Sequence, residues 1–291
     1  MQTNPNPYET LARRGRDWAR LIANLRLIEA AIAKFPLESF FEPVSVLVSE
    51  NGGPLKLDMI SADQLNAWTK HVAYGTIVRL GSLTRVCLSL LEENQLIAAG
   101  LIERVILENA GRASHSLDTL TSGYKNRSWD TMNDLIPKML FGTCMNKPGS
   151  TIFEELAEAA PQQLVKSKIL VDSLDSFASA PDTRFFHDLY GFLCDLTHAS
   201  QRGNNAFCEV VSDTGSGWVL QYKKDETEDD GALLGALRAT VRCLQAGYGA
   251  SALLLRWRFD DEMPHLVARS PGEGDIWIWH EILDPELAFW N

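Results

Sequence analysis

Residues 96–110 decide the fold, and they read LIAAGLIERVILENA. Apolar residues recur in this stretch at three- and four-residue steps, which is the spacing of one face of an α-helix. These apolar positions are Leu96, Ile97, Leu101, Ile102, Val105 and Ile106. Asn94 precedes the stretch and is a residue type that caps helix N-termini. We therefore predict a helix from Gln95 to about Leu120.

Helical periodicity extends in both directions from this stretch. Ser61 and Gln64 have the spacing of a capping box, which predicts a helix start at Ser61. The other predicted helices cover about residues 8–34, 61–93, 128–140, 183–201 and 231–258. Residues 207–211 and 218–222 are rich in β-prone side chains and flank a turn rich in Gly and Ser, which predicts a β-hairpin. Two apolar segments are each either a strand or a packing segment without regular structure: residues 44–48 and 276–279.

Together these elements predict an all-α protein, a helical bundle with a small β-hairpin and an irregular C-terminal extension. We expect one mainly helical domain over residues 1–291. Its parts are a helical core at about 61–205, the hairpin at about 206–223 and a C-terminal helix and tail at 229–291. The 291 residues are enough for a sizeable core, and 45% hydrophobic and 22% charged residues are typical of a globular protein. This composition excludes the disordered and fibrous classes.

The charge balance of the chain is acidic, with 27 Lys and Arg against 38 Asp and Glu and a net charge of −11. Such a surface repels nucleic-acid phosphates and anionic lipids, so we expect no DNA-binding role and no membrane association. The sequence shows no signal-peptide pattern and no membrane-spanning stretch. The five cysteines are scattered without a C-x-x-C pair, which favours buried thiols in a reducing cytoplasm. They are Cys87, Cys144, Cys194, Cys208 and Cys243.

The sequence lacks the motifs of several cofactor and metal enzymes. It has no Gly-rich phosphate loop, no dinucleotide-binding fingerprint, no G-x-S-x-G and no H-E-x-x-H. No two of its six histidines are four residues apart, so a pair of zinc ligands on one helix is not predicted. We therefore expect neither a cofactor nor a metal.

One polar constellation stands out against the apolar helix pattern. Arg104 and Glu108 lie four residues apart and share a helix face. On the helix predicted for residues 183–201, Tyr190 and His198 share a face as well. If the two faces pack together, the four side chains form a buried polar cluster, which must be hydrogen-bonded internally. Two interpretations are open: a ligand or active site with His198 as general acid or base and Arg104 as anion clamp, or a network that fixes helix packing.

The same residues carry a family resemblance. It rests on two segments, Arg104-Val-Ile-Leu-Glu108 and Tyr190-Gly-Phe-Leu-Cys194-Asp-Leu-Thr-His198. They resemble the R-x-x-x-E and Y-x-x-L-S-x-x-x-H patterns of a bacterial helical family, domain of unknown function 5677. Cys194 stands where that family usually has serine. The resemblance covers about residues 83–205, and the family is distantly related to the HEPN (higher eukaryotes and prokaryotes nucleotide-binding) superfamily.

The HEPN relationship implies a helical bundle that is often dimeric. In active members it also implies metal-independent RNA cleavage by an R-x(4–6)-H motif near a helix end. Only Arg258 and His265 have that spacing here. Pro264 breaks a helix just before the histidine, and three acidic residues between the pair repel a phosphate. We therefore do not expect this pair to be catalytic.

Two functions follow from the resemblance and the constellation. We favour a non-catalytic module that binds a partner or a ligand in bacterial stress or phage defence. The alternative is a metal-independent, HEPN-like ribonuclease. In it His198 and Arg104 would act on the ribose 2′-hydroxyl and on the charge of the phosphorane. The expected partner classes are a second copy in a homodimer, another protein and RNA.

Two further surfaces have simpler interpretations. The N-terminal helix carries arginines that we expect to form a solvated face: Arg13, Arg14, Arg16, Arg20 and Arg26. Its apolar stripe has heptad spacing and is expected to pack on the core rather than to pair with a second copy: Leu11, Trp18, Leu25 and Ile32. The Trp-rich tail around Trp277 and Trp279 is expected to pack rather than to stack on bases, because acidic residues surround it.

Overall fold

A computed structural model of the chain describes residues 6–33, 62–126, 167–178, 184–198, 207–222, 230–255, 257–259 and 266–268. These residues form seven α-helices and two short antiparallel strand pairs, which confirms the prediction of an all-α bundle with a small hairpin. The helices are α1 (Pro7–Ala12), α2 (Arg16–Ile32), α3 (Ala62–Glu92), α4 (Leu96–Asn126), α5 (Ser167–Ala178), α6 (Phe185–Thr197) and α7 (Asp230–Leu254). The strands are β1 (Cys208–Asp213), β2 (Trp218–Tyr222), β3 (Trp257–Phe259) and β4 (Leu266–Ala268).

The N-terminal region forms two helices where the sequence predicts one over residues 8–34. The chain breaks at residues 13–15, between α1 and α2. At this break Arg14 Nη2 donates to the Glu92 carbonyl oxygen at 3.1 Å and to Asn94 Oδ1 at 2.8 Å. The Arg14 guanidinium also lies over the Trp18 ring, 5.2 Å from its centroid. These contacts fix the break, and α1 packs against α3.

The apolar stripe of α1 and α2 packs on the protein's own core, as expected. Leu11, Trp18 and Leu25 are at most 5% exposed, and Ile32 is partly buried against the same core. This stripe is therefore covered and offers no free surface to a second copy. Of the five arginines, four lie on the exposed side: Arg13, Arg16, Arg20 and Arg26.

A tight turn joins α3 to α4. The Gln95 N–H donates to the Leu90 carbonyl at 2.8 Å, and the Asn94 N–H donates to the Leu91 carbonyl at 3.3 Å. Asn94 has a φ of 58°, so this is the Schellman pattern that ends a helix with a left-handed residue. Asn94 therefore ends α3 rather than capping α4 as the sequence predicts. Asparagine suits this position because it adopts the left-handed conformation more readily than other non-glycine residues.

Helices α4 and α7 form the centre of the bundle. α4 packs against α3, α5, α6 and α7, and α7 also packs against α2 and α3. Glycine permits close approaches between these helices. A Cβ on Gly247 would lie 2.8 Å from both Ala110 Cβ and Leu80 Cδ1, and a Cβ on Gly111 would lie 2.7 Å from the Leu170 carbonyl oxygen. The second half of α7 is buried on nearly every side, which explains why its sequence lacks a polar face.

The C-terminal end of α7 differs from the prediction of a helix to about residue 258. α7 ends at Leu254, and Trp257–Phe259 pairs antiparallel with Leu266–Ala268. Aromatic side chains at the start of this pair fit a strand better than a helix end. Helix α6 is also shorter than predicted, ending at Thr197 rather than near residue 201.

The β1–β2 hairpin forms where it was predicted. Its register pairs Val210 with Leu220 and Ser212 with Val219, which leaves Val211 as a β-bulge on β1. Helix α4 runs six residues beyond its predicted end at Leu120.

Some expectations concern residues outside the described ranges, among them the helix at 128–140, the segments at 44–48 and 276–279, and the Trp-rich tail. Helix α5 has no counterpart among the predicted helices. Within the described ranges, no helix is both long enough and apolar enough to cross a membrane.

Candidate functional site

Arg104 is the centre of the predicted constellation, and the structure brings its four residues together between α4 and α6. Arg104 Nη2 donates to the Tyr190 hydroxyl at 3.2 Å, and Nη1 lies 3.4 Å from His198 Nε2. Arg104 Nε donates to Glu108 Oε1 at 3.4 Å. The guanidinium carbon lies 5.3 Å from the Tyr190 ring centroid, which adds a cation–π contact. We call these four residues the Arg104 cluster.

A third helix holds the carboxylate of this cluster. Ser167 Oγ, at the start of α5, donates to Glu108 Oε1 at 3.0 Å. Glu108 is thereby fixed against the Nε side of Arg104, and both Nη atoms of the guanidinium face α6. Ser167 is not among the predicted site residues, because it lies 59 residues from Glu108 in a segment with no predicted helix.

The cluster lies at the rim of the α4–α6 contact, so the expectation that it is buried is wrong. The side chains of Arg104 and Glu108 are 27% and 31% exposed, Tyr190 is half-buried and His198 is exposed. The reason is the end of α6. His198 is the C-cap residue, with an extended backbone at φ −87° and ψ 165°, so it lies just outside the last helical turn rather than within it.

The Arg104 guanidinium is the charged donor of the cluster. Partial burial lowers the pKa of Arg104. The neighbouring Cys194, Tyr190 and Glu108 together raise this pKa by more than burial lowers it. The net shift of the pKa is therefore upward, and the guanidinium stays charged. A guanidinium can only donate, so His198 Nε2 must accept from Nη1.

Cys194 completes the α6 face of the cluster. It lies four residues after Tyr190 and four before His198, and its thiol is half-buried. Its carbonyl oxygen accepts the His198 backbone N–H at 2.9 Å, which closes the last turn of α6. Because Cys194 also interacts electrostatically with Arg104, it belongs to the wall of the site.

The pair with HEPN-like spacing does not have the context of that motif. Arg258 lies in strand β3 rather than near a helix end. His265 is outside the described residues. The expectation that this pair is not catalytic stays a prediction.

A second polar group, which is not among the predicted site residues, lies inside the bundle. Glu103 is 3% exposed and accepts a hydrogen bond from Thr240 Oγ1 at 2.7 Å. Cys87 Sγ lies 3.6 Å from the same hydroxyl. Burial raises the pKa of the Glu103 carboxyl to about 8, against the opposing effect of the Thr240 hydrogen bond. The sequence does indicate that Glu103 is buried, because Glu103 follows Ala99 by four residues on the apolar face of α4.

The thiols near Glu103 are buried as small apolar groups. Burial is the main cause that raises the pKa of both Cys87 and Cys243, and the nearby Glu103 is the second cause. None of the cysteines in the described ranges forms a disulfide. Within the same ranges, no group of three or more His, Cys, Asp or Glu side chains is arranged to hold a metal ion.

Comparison of the chain with protein-family models, with curated proteins and with solved structures finds no match. The Arg104 cluster must therefore be interpreted from its own geometry and charge.

Proposed function

We propose that the protein is a non-catalytic helical module that binds an anionic group of a ligand or partner at the Arg104 cluster. One observation carries the proposal: both Nη atoms of Arg104 face Tyr190 and His198 rather than a carboxylate, at a partly exposed rim. These bonds, at 3.2 and 3.4 Å, are longer than the usual 2.9–3.0 Å. A phosphate or carboxylate forms shorter, charge-assisted bonds with a guanidinium, so an anion at this rim is favoured.

Two donors lie at the same rim. The Tyr190 oxygen accepts from Arg104, which leaves the hydroxyl proton to donate. Arg104 offers a planar fork of N–H groups that suits two oxygens at once. Glu108 engages the opposite side of the guanidinium and orients it.

The alternative is a metal-independent ribonuclease that uses His198 and Arg104. The observation that favours it is an exposed histidine within 3.4 Å of a guanidinium, because a general base and a charge stabiliser are then side by side. However, the Nε2 lone pair that would take the ribose proton already faces an Arg104 N–H. Catalysis would need this ring to turn, and RNA would have to approach a chain of net charge −11.

The anion site is tested by thermal unfolding in inorganic phosphate against chloride at constant ionic strength. Once phosphate exceeds its Kd about tenfold, the Tm of the wild type should rise by roughly 2–5 °C. Arg104→Gln should abolish the rise. Arg238→Gln is the matched control, since it removes one exposed positive charge from α7 that pairs with Asp17 at 3.5 Å. An equal rise in Arg104→Gln would contradict the proposal.

The ribonuclease alternative is tested by the integrity of RNA incubated with the protein in EDTA. We expect intact RNA with the wild type and with His198→Ala. Cleavage by the wild type that His198→Ala abolishes would replace the binding proposal with the catalytic one.

The biological setting of the proposal comes from the family resemblance. It supports a bacterial protein of the cytoplasm that acts in stress or phage defence, with a homodimer as its assembly. The partner with the anionic group is then either another protein or RNA.

A further inference from the structure

Strand β2 is unusual because it is uncharged and exposed along its whole length. It reads WVLQY, without glycine or proline, and all five residues are exposed. Trp218 is 70% exposed, Leu220 40% and Tyr222 72%. These three residues alternate along the strand and therefore lie on one face of the hairpin. A contiguous exposed apolar face of this kind marks an interaction surface.

The two edges of the hairpin differ in how well they can pair with a further strand. β1 carries the acidic residues Glu209 and Asp213 and the bulge at Val211, and such features discourage edge pairing. β2 has neither charge nor bulge. Among the described strands, β2 pairs only with β1. Its outer edge is therefore the one suited to a further strand.

We propose that β2 pairs antiparallel with β2 of a second copy of this chain, which gives a four-stranded sheet in the order β1-β2-β2-β1. The sequence of β2 is complementary to itself in this arrangement. With a two-fold axis beside Leu220, this residue faces Leu220 of the partner subunit. Trp218 then faces Tyr222 of the partner subunit on both sides of the axis. Each aromatic pair and the leucine pair are cross-strand contacts that stabilise a sheet.

The seam itself is uncharged, although each chain is acidic overall. No charged residue of β2 lies at the seam, and Glu209 and Asp213 lie on the two outer strands of the assembled sheet. The two aromatic residues of each strand contribute at most roughly 150–250 Å² each, which together is below the roughly 800 Å² per partner of a standard interface. We therefore expect a weak dimer, with monomers at about 1 μM and dimers at several hundred micromolar.

Sedimentation velocity over this concentration range tests the proposal. Leu220→Lys puts two positive charges beside the axis and should keep the protein monomeric. The matched control is Val211→Lys, which adds the same charge at a 48% exposed position of β1 and should leave the dimer intact. A wild type that stays monomeric throughout, including one whose edge accepts only a strand of another protein, would overturn the proposal. So would a dimer that Leu220→Lys does not affect.

A cross-link tests the register directly. Leu220→Cys places two thiols opposite each other across the axis, at a separation that a disulfide spans, and should give a covalent dimer under mild oxidation. Gln221→Cys is the control, because its side chain lies on the other face and faces Val219 of the partner subunit. Wild type run beside both reports any link through the native cysteines. Equal cross-linking of the two variants, or none in Leu220→Cys at several hundred micromolar, would overturn the register.

Discussion

The buried carboxyl of Glu103 makes a strong prediction about how stability depends on pH. This side chain lies where α4 meets α7, with the Thr240 hydroxyl as its hydrogen-bond donor and Cys87 beside that hydroxyl. Burial raises its pKa from the ordinary 4.5 to about 8, because a carboxylate loses its hydration there. At neutral pH the folded protein therefore holds a neutral carboxylic acid at this position.

The sign of the effect follows from proton counting. Between the ordinary value of 4.5 and about 8, folded Glu103 keeps its proton and unfolded Glu103 has lost it. The folded state then binds more protons, so the free energy of unfolding falls as pH rises, by about 1.4 kcal/mol per pH unit. The contribution is fully present below pH 4.5 and is lost by about pH 8. From pH 5 to pH 8 the loss amounts to about 4 kcal/mol.

Glu103→Gln isolates this contribution, because the glutamine amide has no proton to lose and its oxygen can still accept from Thr240. We would measure urea unfolding by circular dichroism at unit steps from pH 5 to pH 9. The difference in free energy of unfolding between the variant and the wild type at pH 5 serves as the reference. By pH 8 this difference should have shifted by about 4 kcal/mol in favour of the variant, and it should then level off. A difference that does not change with pH would refute the buried neutral acid.

Thr240→Val extends the same test. The Thr240 hydrogen bond favours the carboxylate form, so its removal should raise the pKa of Glu103 and extend the falling limb of stability beyond pH 8. An unchanged limb would show that Thr240 does not donate to this carboxyl.

Two further predictions concern packing and the rim of the candidate site. Gly247→Ala should destabilise the protein by about 1–3 kcal/mol, because its Cβ would lie 2.8 Å from Ala110 and Leu80. Gly235→Ala in the same helix meets nothing within 4 Å and should be neutral or slightly stabilising in the same urea titration, and equal losses would contradict the packing. His198→Ala should change the Tm by less than about 2 °C, because the ring is exposed, and a loss of several degrees in a thermal melt would show that the cluster is structural.

Much of the fold could be predicted because buried helix faces give a periodic spacing of apolar residues in the sequence. The helices α3 and α4 begin within a residue of their predicted starts at 61 and 95, since their apolar faces are regular. No such periodic pattern marks the break between α1 and α2. It depends on Arg14 reaching a carbonyl 78 residues away, a contact that exists only after folding. The end of α7 was missed for a similar reason, because β3 requires β4 as its partner.

The candidate site shows the same division. Helical spacing predicted that Arg104 and Glu108 share a face and that Tyr190 and His198 share another, and these faces do meet. Spacing did not predict how exposed the cluster is, because exposure depends on where α6 ends. It also did not predict Ser167, since that contact joins helices distant in sequence.

The central proposal is that the Arg104 cluster binds an anion without catalysing a reaction. The most direct test is an NMR titration with inorganic phosphate that follows the Arg104 Nε–H and the His198 ring signals, with the exposed Arg238 as the internal reference. The account predicts that the Arg104 and His198 signals shift together and saturate, with Arg238 unchanged. Signals of Arg104 and His198 that stay fixed, or that move only as much as Arg238, would contradict it.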